Sequence, residues 1–166
     1  HDEAEKLVGD HDPSGGFNGG KYSAYEAGTR MPTIIWWKNR IQPLVSDALV
    51  SQVDLYASFA KLLSHELAPD EAPDSFDMLD AWLGHAQKGR ELLLEESLTM
   101  SLRDGNWKYI APSEIGITGW MKNKRIPIGL MPEPQLYNLS DDIKETHNVA
   151  AANKEQVQKM QEQLKQ

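Results

Sequence analysis

The hydrophobic period of this chain changes near residue 91, so its two ends must build different kinds of layer. Ahead of that point Val53, Tyr56, Ala57, Ala60, Leu63 and Leu67 recur at helical spacing. Ser51-Gln52-Val53-Asp54 has the form of a capping box, with Asp in the place of the preferred Glu. Together these predict a helix over 52–66, then a loop at 68–75 and a short helix over 77–84 that buries Met78, Leu79 and Trp82. Pro32-Thr33-Ile34-Ile35-Trp36-Trp37 is apolar without alternation, which predicts a strand covered on both faces.

From residue 91 the pattern is that of strands. Glu91–Glu95 reads as one, and Leu98, Met100 and Leu102 then alternate with polar residues. Asp104-Gly105 supplies a turn, and Trp107 and Tyr109 resume the alternation, which makes a β-hairpin. Residues 112–134, rich in Pro, Gly and Lys, read as a long insertion, and Gln135–Leu139 as a further strand. Asn153 is placed to cap a last helix whose apolar side is Val157, Met160 and Leu164. The expected architecture is therefore the end of an α/β domain over 1–88, followed by a small α+β antiparallel-sheet domain with a C-terminal helix over 89–166. Trp36, Trp37 and Trp107 are expected in the core rather than as sugar platforms.

Composition narrows the function. Hydrophobic residues make up 40% of the chain, enough for a core, and the net charge is −8 with His neutral. An acidic chain without a basic stripe argues against a nucleic-acid or anionic-membrane partner. Without cysteine there is no disulfide, thiolate metal site or cysteine nucleophile. No apolar run approaches the roughly 20 residues that span a bilayer. His1-Asp2-Glu3-Ala4-Glu5-Lys6 is acidic where a signal peptide is basic, and a start of this kind reads as a piece of something longer.

The glycines at 15, 16, 19 and 20 make helix or strand interior untenable there and predict an ordered loop or a flexible tail. Gly19-Gly20-Lys21 is followed by Glu26, Arg30, Met31 and Pro32 in the order of an arylsulfatase signature. Ser46–Leu55, the Gly105–Tyr109 hairpin, and Leu136–Leu139 with Asp141, Asp142, Glu145, Thr146, His147 and Asn148 follow in family order. On these residues the chain resembles the C-terminal portion of an arylsulfatase-type, formylglycine-dependent sulfatase. The resemblance implies an alkaline-phosphatase-like α/β catalytic domain whose end lies at 1–88, and a sulfatase C-terminal domain at 89–166. It implies hydrolysis of sulfate esters with a formylglycine nucleophile and a calcium ion. The Cys/Ser-x-Pro-x-Arg motif, the paired aspartates and the Asp-Asn pair that supply these are absent from this sequence. The chain alone is therefore expected to be inactive and to hold no cofactor, and its partners are expected to be the missing N-terminal part and a sulfated small molecule or sugar.

Residue by residue, Lys21 matches the lysine that contacts the sulfate group, while Gly19 and Gly20 let the backbone approach the anion. Glu26 and Arg30 match positions with a structuring role, as an ion pair that fixes the loop, and Ala27 stands where Gly is commoner. His11 is the candidate substrate-channel residue, beside the plainer reading of a surface histidine. His65, His85 and His147 lack ligand-like spacing and read as surface, and no metal site is proposed from them. Lys122, Lys124 and Arg125 form a basic cluster that fits a solvated loop better than a second anion site. Two other functions compete: a phosphoester or phosphonate hydrolase of the same superfamily, and a non-catalytic binding or oligomerisation module. The resemblance implies a periplasmic or secreted address, and the bare apolar face of Ile34–Trp37 predicts self-association.

Overall fold

The computed structural model describes Gly9, residues 11–117, 119–123 (Asn123 by its backbone) and 126–165. The residues divide into two compact units, one formed by the described residues up to Met31 with Leu94 onward, the other by Pro32–Leu93.

The first unit is built on a sheet of four strands in the order β1 (Leu92–Glu96), β2 (Met100–Asp104), β3 (Trp107–Ile110) and β4 (Gln135–Asn138). The β2–β3 hairpin closes through Gly105-Asn106, with Asp104 opposite Trp107, and β4 pairs antiparallel with β3, Tyr109 facing Leu136. Leu102, Tyr109 and Leu136 share one face. That face meets the C-terminal helix Lys154–Gln163, whose Gln161 amide donates to the Tyr109 hydroxyl and whose Lys159 pairs with Asp104. Val157 and Met160 are buried as their spacing predicts, and Leu164 is half-buried. The Asn153 side chain does not cap this helix but turns back to donate to the Val149 carbonyl at 2.9 Å.

The opposite sheet face is covered as well. Ala24 and Tyr25, just ahead of α1 (Glu26–Thr29), pack with Ile110, Tyr137 and Leu139. Tyr25 and Tyr137 both donate to the side-chain oxygen Oε1 of the buried Gln135, at 2.9 and 3.0 Å. Covering both faces removes the inside–outside alternation expected of an antiparallel sheet with one wet side. Lys108, Tyr109 and Ile110 are consecutive and all buried. The 112–134 insertion is not simply a solvated loop. It contains α4 (Trp120–Asn123), whose Met121 is buried with Ile128 and Leu130 against Leu98 and Ile126.

The second unit corrects several expectations. Pro32–Trp37 forms no strand among the described residues, and Ile34 and Trp36 are 93% and 80% exposed. A continuous apolar run becomes a buried strand only where ladder partners exist on both sides, and none of the described strands pairs with it. Trp37 is exposed too, against the core placement expected of both tryptophans. The helix expected over 52–66 is a 3₁₀ turn, Gln52–Asp54, running into α2 (Leu55–Leu62). It ends early because Ser64 adopts φ +57°, with Ser64 N–H donating to the Lys61 carbonyl and His65 N–H to Ala60, a Schellman closure. Only Ala57 and Ala60 of its expected apolar stripe are buried, whereas Val53, Tyr56 and Leu63 are exposed. The helix expected over 77–84 is the single turn α3 (Leu79–Trp82), with Ala81 as its buried residue. Asp54 anchors this unit. Its carboxylate takes Arg90 in a fork at 2.5 and 2.7 Å and accepts the Ser51 and Phe76 N–H groups. Burial would push the Asp54 carboxyl up, but Arg90 and those N–H groups hold it below the usual range.

Candidate functional site

The glycine-rich segment is an ordered sequence of turns. The exposed Asp12 carboxylate opens it by accepting the Ser14 N–H, the Ser14 hydroxyl and the Gly16 N–H. These bonds keep Asp12 ionised below the ordinary aspartate range. Farther on, Ser23 N–H donates to the Gly20 carbonyl at 2.8 Å, closing a turn with Lys21 and Tyr22 at its tip. Two glycines are indispensable to it. Gly19 sits at φ +83°, where an added Cβ would fall 2.2 Å from Ser23 Oγ, and a Cβ on Gly28 would fall 2.0 Å from the Ser23 carbonyl oxygen. At Gly20 a Cβ would meet only the flexible end of Ile126, at 3.0 Å. The backbone behind the tip is tied down by Ala24 N–H to Ile128 O and Ala27 N–H to Asn18 O.

Lys21 is exposed at that tip, its Nζ 5.1 Å from the centroid of the Tyr22 ring. Glu26 lies beneath, buried, with its carboxylate against Lys108 Nζ (3.0 Å), Arg103 (3.1 Å) and Arg30 (3.5 Å). Arg30 and Glu26 are thus within ion-pair distance, but the closer partners come from β2 and β3. Arg30 also lies over the Phe17 ring at 4.7 Å. His11 is exposed at the start of the segment. The expected residues therefore fall into two sets: Gly19, Gly20 and Lys21 at the tip, Glu26 and Arg30 under it.

Lys108, Arg103, Glu95 and Glu145 complete the lower set and were not singled out from the sequence. Lys108 Nζ, fully buried, also reaches Glu95 at 3.1 Å, Thr29 Oγ1 at 3.1 Å and Glu145 at 4.0 Å. Glu145 Oε2 accepts the Glu26 N–H at 2.7 Å, fastening the first residue of α1 to the Asp142–His147 turn. That turn is held by Asp142, whose carboxylate accepts the Thr146 and His147 N–H groups. Its other oxygen, Glu145 Oε1, is buried without a hydrogen-bond partner. Burial pushes the Glu145 carboxyl up to about 7, against the pull of Lys108. Glu26 moves the other way: burial would raise it, but Lys108 and Arg103 hold it below the usual glutamate range. The Gly105–Tyr109 and Asp141–Asn148 landmarks contain Lys108 and Glu145, so family order was the available signal. Of the basic cluster, Lys122 is exposed on α4, and Lys124 and Arg125 lie outside the described residues, as does His1–Lys6. The remaining histidines are exposed, with His85 and His147 beside Asp80 and Asp142.

Comparison with known proteins points one way. Residues 7–65 match the Sulfatase family model. The chain is 42% identical, over 98% of its length, to the N-acetylgalactosamine-6-O-sulfatase of Bacteroides thetaiotaomicron, and covers 32% of that protein. It is 35% identical to human arylsulfatase A over 74 residues, 45% of this chain and 14% of that one. A solved sulfatase structure from studies of glycosaminoglycan metabolism by B. thetaiotaomicron superposes with a TM-score of 0.92 at 40% identity, covering 99% of this chain and 34% of the other. The PsFucS1 sulfatase of Pseudoalteromonas shares the fold, at TM-score 0.68 and 22% identity, over 90% of this chain and 31% of its own. The chain thus spans about a third of the length of the relatives it matches over most of its own.

Proposed function

This chain belongs to the sulfatase family, and we propose that it supplies the glycine-hinged sulfate-binding lysine of a sulfuric ester hydrolase. The observation that carries the reading is the turn at Gly19–Ser23, which leaves the Lys21 side chain in solvent on backbone that its neighbours fix. Sulfuryl transfer asks little covalent work of side chains. Negative charge spread over the sulfate oxygens needs a cation that is already in place, as in phosphoryl transfer. The Lys21 ammonium meets that need, and the buried Glu26–Lys108–Glu145 cluster holds the loop from below so that binding need not order it.

The nucleophile and the calcium ion that the resemblance implies come from sequence outside this chain. The residues here do not fit a calcium site. No group of three or more His, Asp or Glu among the described residues is placed to hold a metal ion, and Glu26, Glu95 and Glu145 converge instead on the Lys108 ammonium. Alone, the segment turns over no sulfate ester. The N-acetylgalactosamine-6-O-sulfatase name of the relative supports a 6-sulfated N-acetylgalactosamine as substrate, and the family resemblance alone supports a periplasmic or secreted address. No helix of the described residues is long and apolar enough to cross a membrane.

The test is Lys21→Ala in an intact sulfatase carrying this segment. Loss of one preorganised donor predicts a fall of about 10²–10³ in kcat with an unchanged thermal midpoint. Unchanged turnover of the 6-sulfated sugar would overturn the assignment.

A further inference from the structure

Lys21 does not stand alone at the loop tip. The Tyr22 ring under its ammonium meets the Trp120 indole edge to face, with centroids 4.9 Å apart and planes at 68°. Both rings remain in solvent, Tyr22 at 42% and Trp120 at 45% exposure, whereas Tyr25, Tyr109 and Tyr137 of the same unit are buried. The backbone beneath the two rings is nevertheless well secured. Tyr22 is held at φ +78°, a conformation side chains other than Gly rarely adopt, by the Ser23-to-Gly20 turn. Trp120 opens α4, and the next residue, Met121, anchors that helix in the small core with Ile128 and Leu130.

Two aromatic rings inclined at 68° beside one cation make a corner with two chemistries. An aromatic face carries negative charge density and receives the C–H-rich face of a pyranose ring, while the ammonium receives an anion. We propose that Tyr22 and Trp120 form the pyranose-binding wall of the Lys21 sulfate subsite, so that the ligand is a sugar ring bearing its sulfate within one side chain's reach of the stacking surface. The proposal rests on the sulfate-binding reading of Lys21. Trp120 is the stacking face. Tyr22 has a second task, because the Lys21 ammonium over its ring is kept near the position it must occupy when the oxyanion arrives.

The experiment uses an intact sulfatase carrying this segment, with N-acetylgalactosamine 6-sulfate as substrate and inorganic sulfate as competing ligand. Trp120→Ala raises KM for the sugar about tenfold, the factor that 1.4 kcal/mol carries, and leaves the inhibition constant of inorganic sulfate unchanged. Trp120→Phe, which keeps a ring, recovers most of the loss. An unchanged KM for the sugar in Trp120→Ala overturns the proposal, as does an equal weakening of sugar and inorganic sulfate. Lys21→Ala separates the two readings. If it weakens both ligands while Trp120→Ala does nothing, only the aromatic wall fails. If it affects neither, the sulfate role of Lys21 fails.

Discussion

Replacing Glu145 by Gln exchanges one oxygen for an amide nitrogen inside the buried ionic cluster, and its consequence depends on pH. Lys108 and Arg103 face the carboxylates of Glu26, Glu95 and Glu145, so a neutral Glu145 balances the buried charges. Burial raises its carboxyl from the ordinary 4.5 to about 7. The folded chain therefore binds this proton more tightly than the unfolded chain does. The stabilisation is complete below pH 4.5 and is lost as pH rises through 7. At 1.36 kcal/mol per pH unit the difference is on the order of 3 kcal/mol. Gln keeps an acceptor for the Glu26 N–H and cannot ionise. Urea unfolding of both proteins at pH 5 and pH 8 should show the variant gaining about 2.5 kcal/mol on the parent between those values, the remainder being already lost by pH 5. Comparing the two proteins cancels the acid-side losses from Glu26, Asp54 and Asp142, whose carboxyls are held low in both. A stability difference that does not change with pH would refute the claim that Glu145 is buried in a proton-holding state.

Two further substitutions test the supports. Gly28→Ala places a methyl 2.0 Å from the Ser23 carbonyl oxygen and 2.8 Å from that of Gly20, so the backbone must move. The expected loss is about 3 kcal/mol or more by thermal unfolding, and an unchanged melt would refute the close approach. Arg90→Ala strands the buried Asp54 carboxylate with its Ser51 and Phe76 N–H partners alone. About 3–5 kcal/mol should be lost at neutral pH, shrinking as pH falls through the folded-state titration of Asp54, because protonation removes the unpaired charge. A loss that stays constant down to pH 2 would count against the ion pair as its cause.

The back half of the chain was readable because its signals are local. The Leu98–Tyr109 alternation, the Asp104-Gly105 turn and the Val157–Met160 spacing each depend on neighbours within a few residues, and the hairpin and last helix form where they predict. Lys108 escaped detection for the same reason. Alternation placed Trp107 and Tyr109 inward and Lys108 outward, and only the packing of Ala24–Glu26 on the other sheet face makes that side an interior. Glu145 escaped because its partner, Glu26, is 119 residues away in sequence. Pro32–Trp37 failed in the opposite sense: strand formers were present, and none of the described strands pairs with them. At the site, Glu26 and Arg30 were expected from the resemblance alone and lie 3.5 Å apart, whereas the Tyr22–Trp120 contact joins a loop tip to an insertion and leaves no periodic trace.

The sulfate role of Lys21 depends on where its ammonium group points when sulfate is bound. A crystal structure of an intact sulfatase carrying this segment, soaked with sulfate or a sulfated sugar, measures that directly. The predicted result is Lys21 Nζ lifted from the Tyr22 ring to a sulfate oxygen at about 2.7–2.9 Å, the range of a charge-assisted hydrogen bond. Sulfate bound at the catalytic centre with Lys21 still resting on Tyr22, out of reach of any sulfate oxygen, would contradict it.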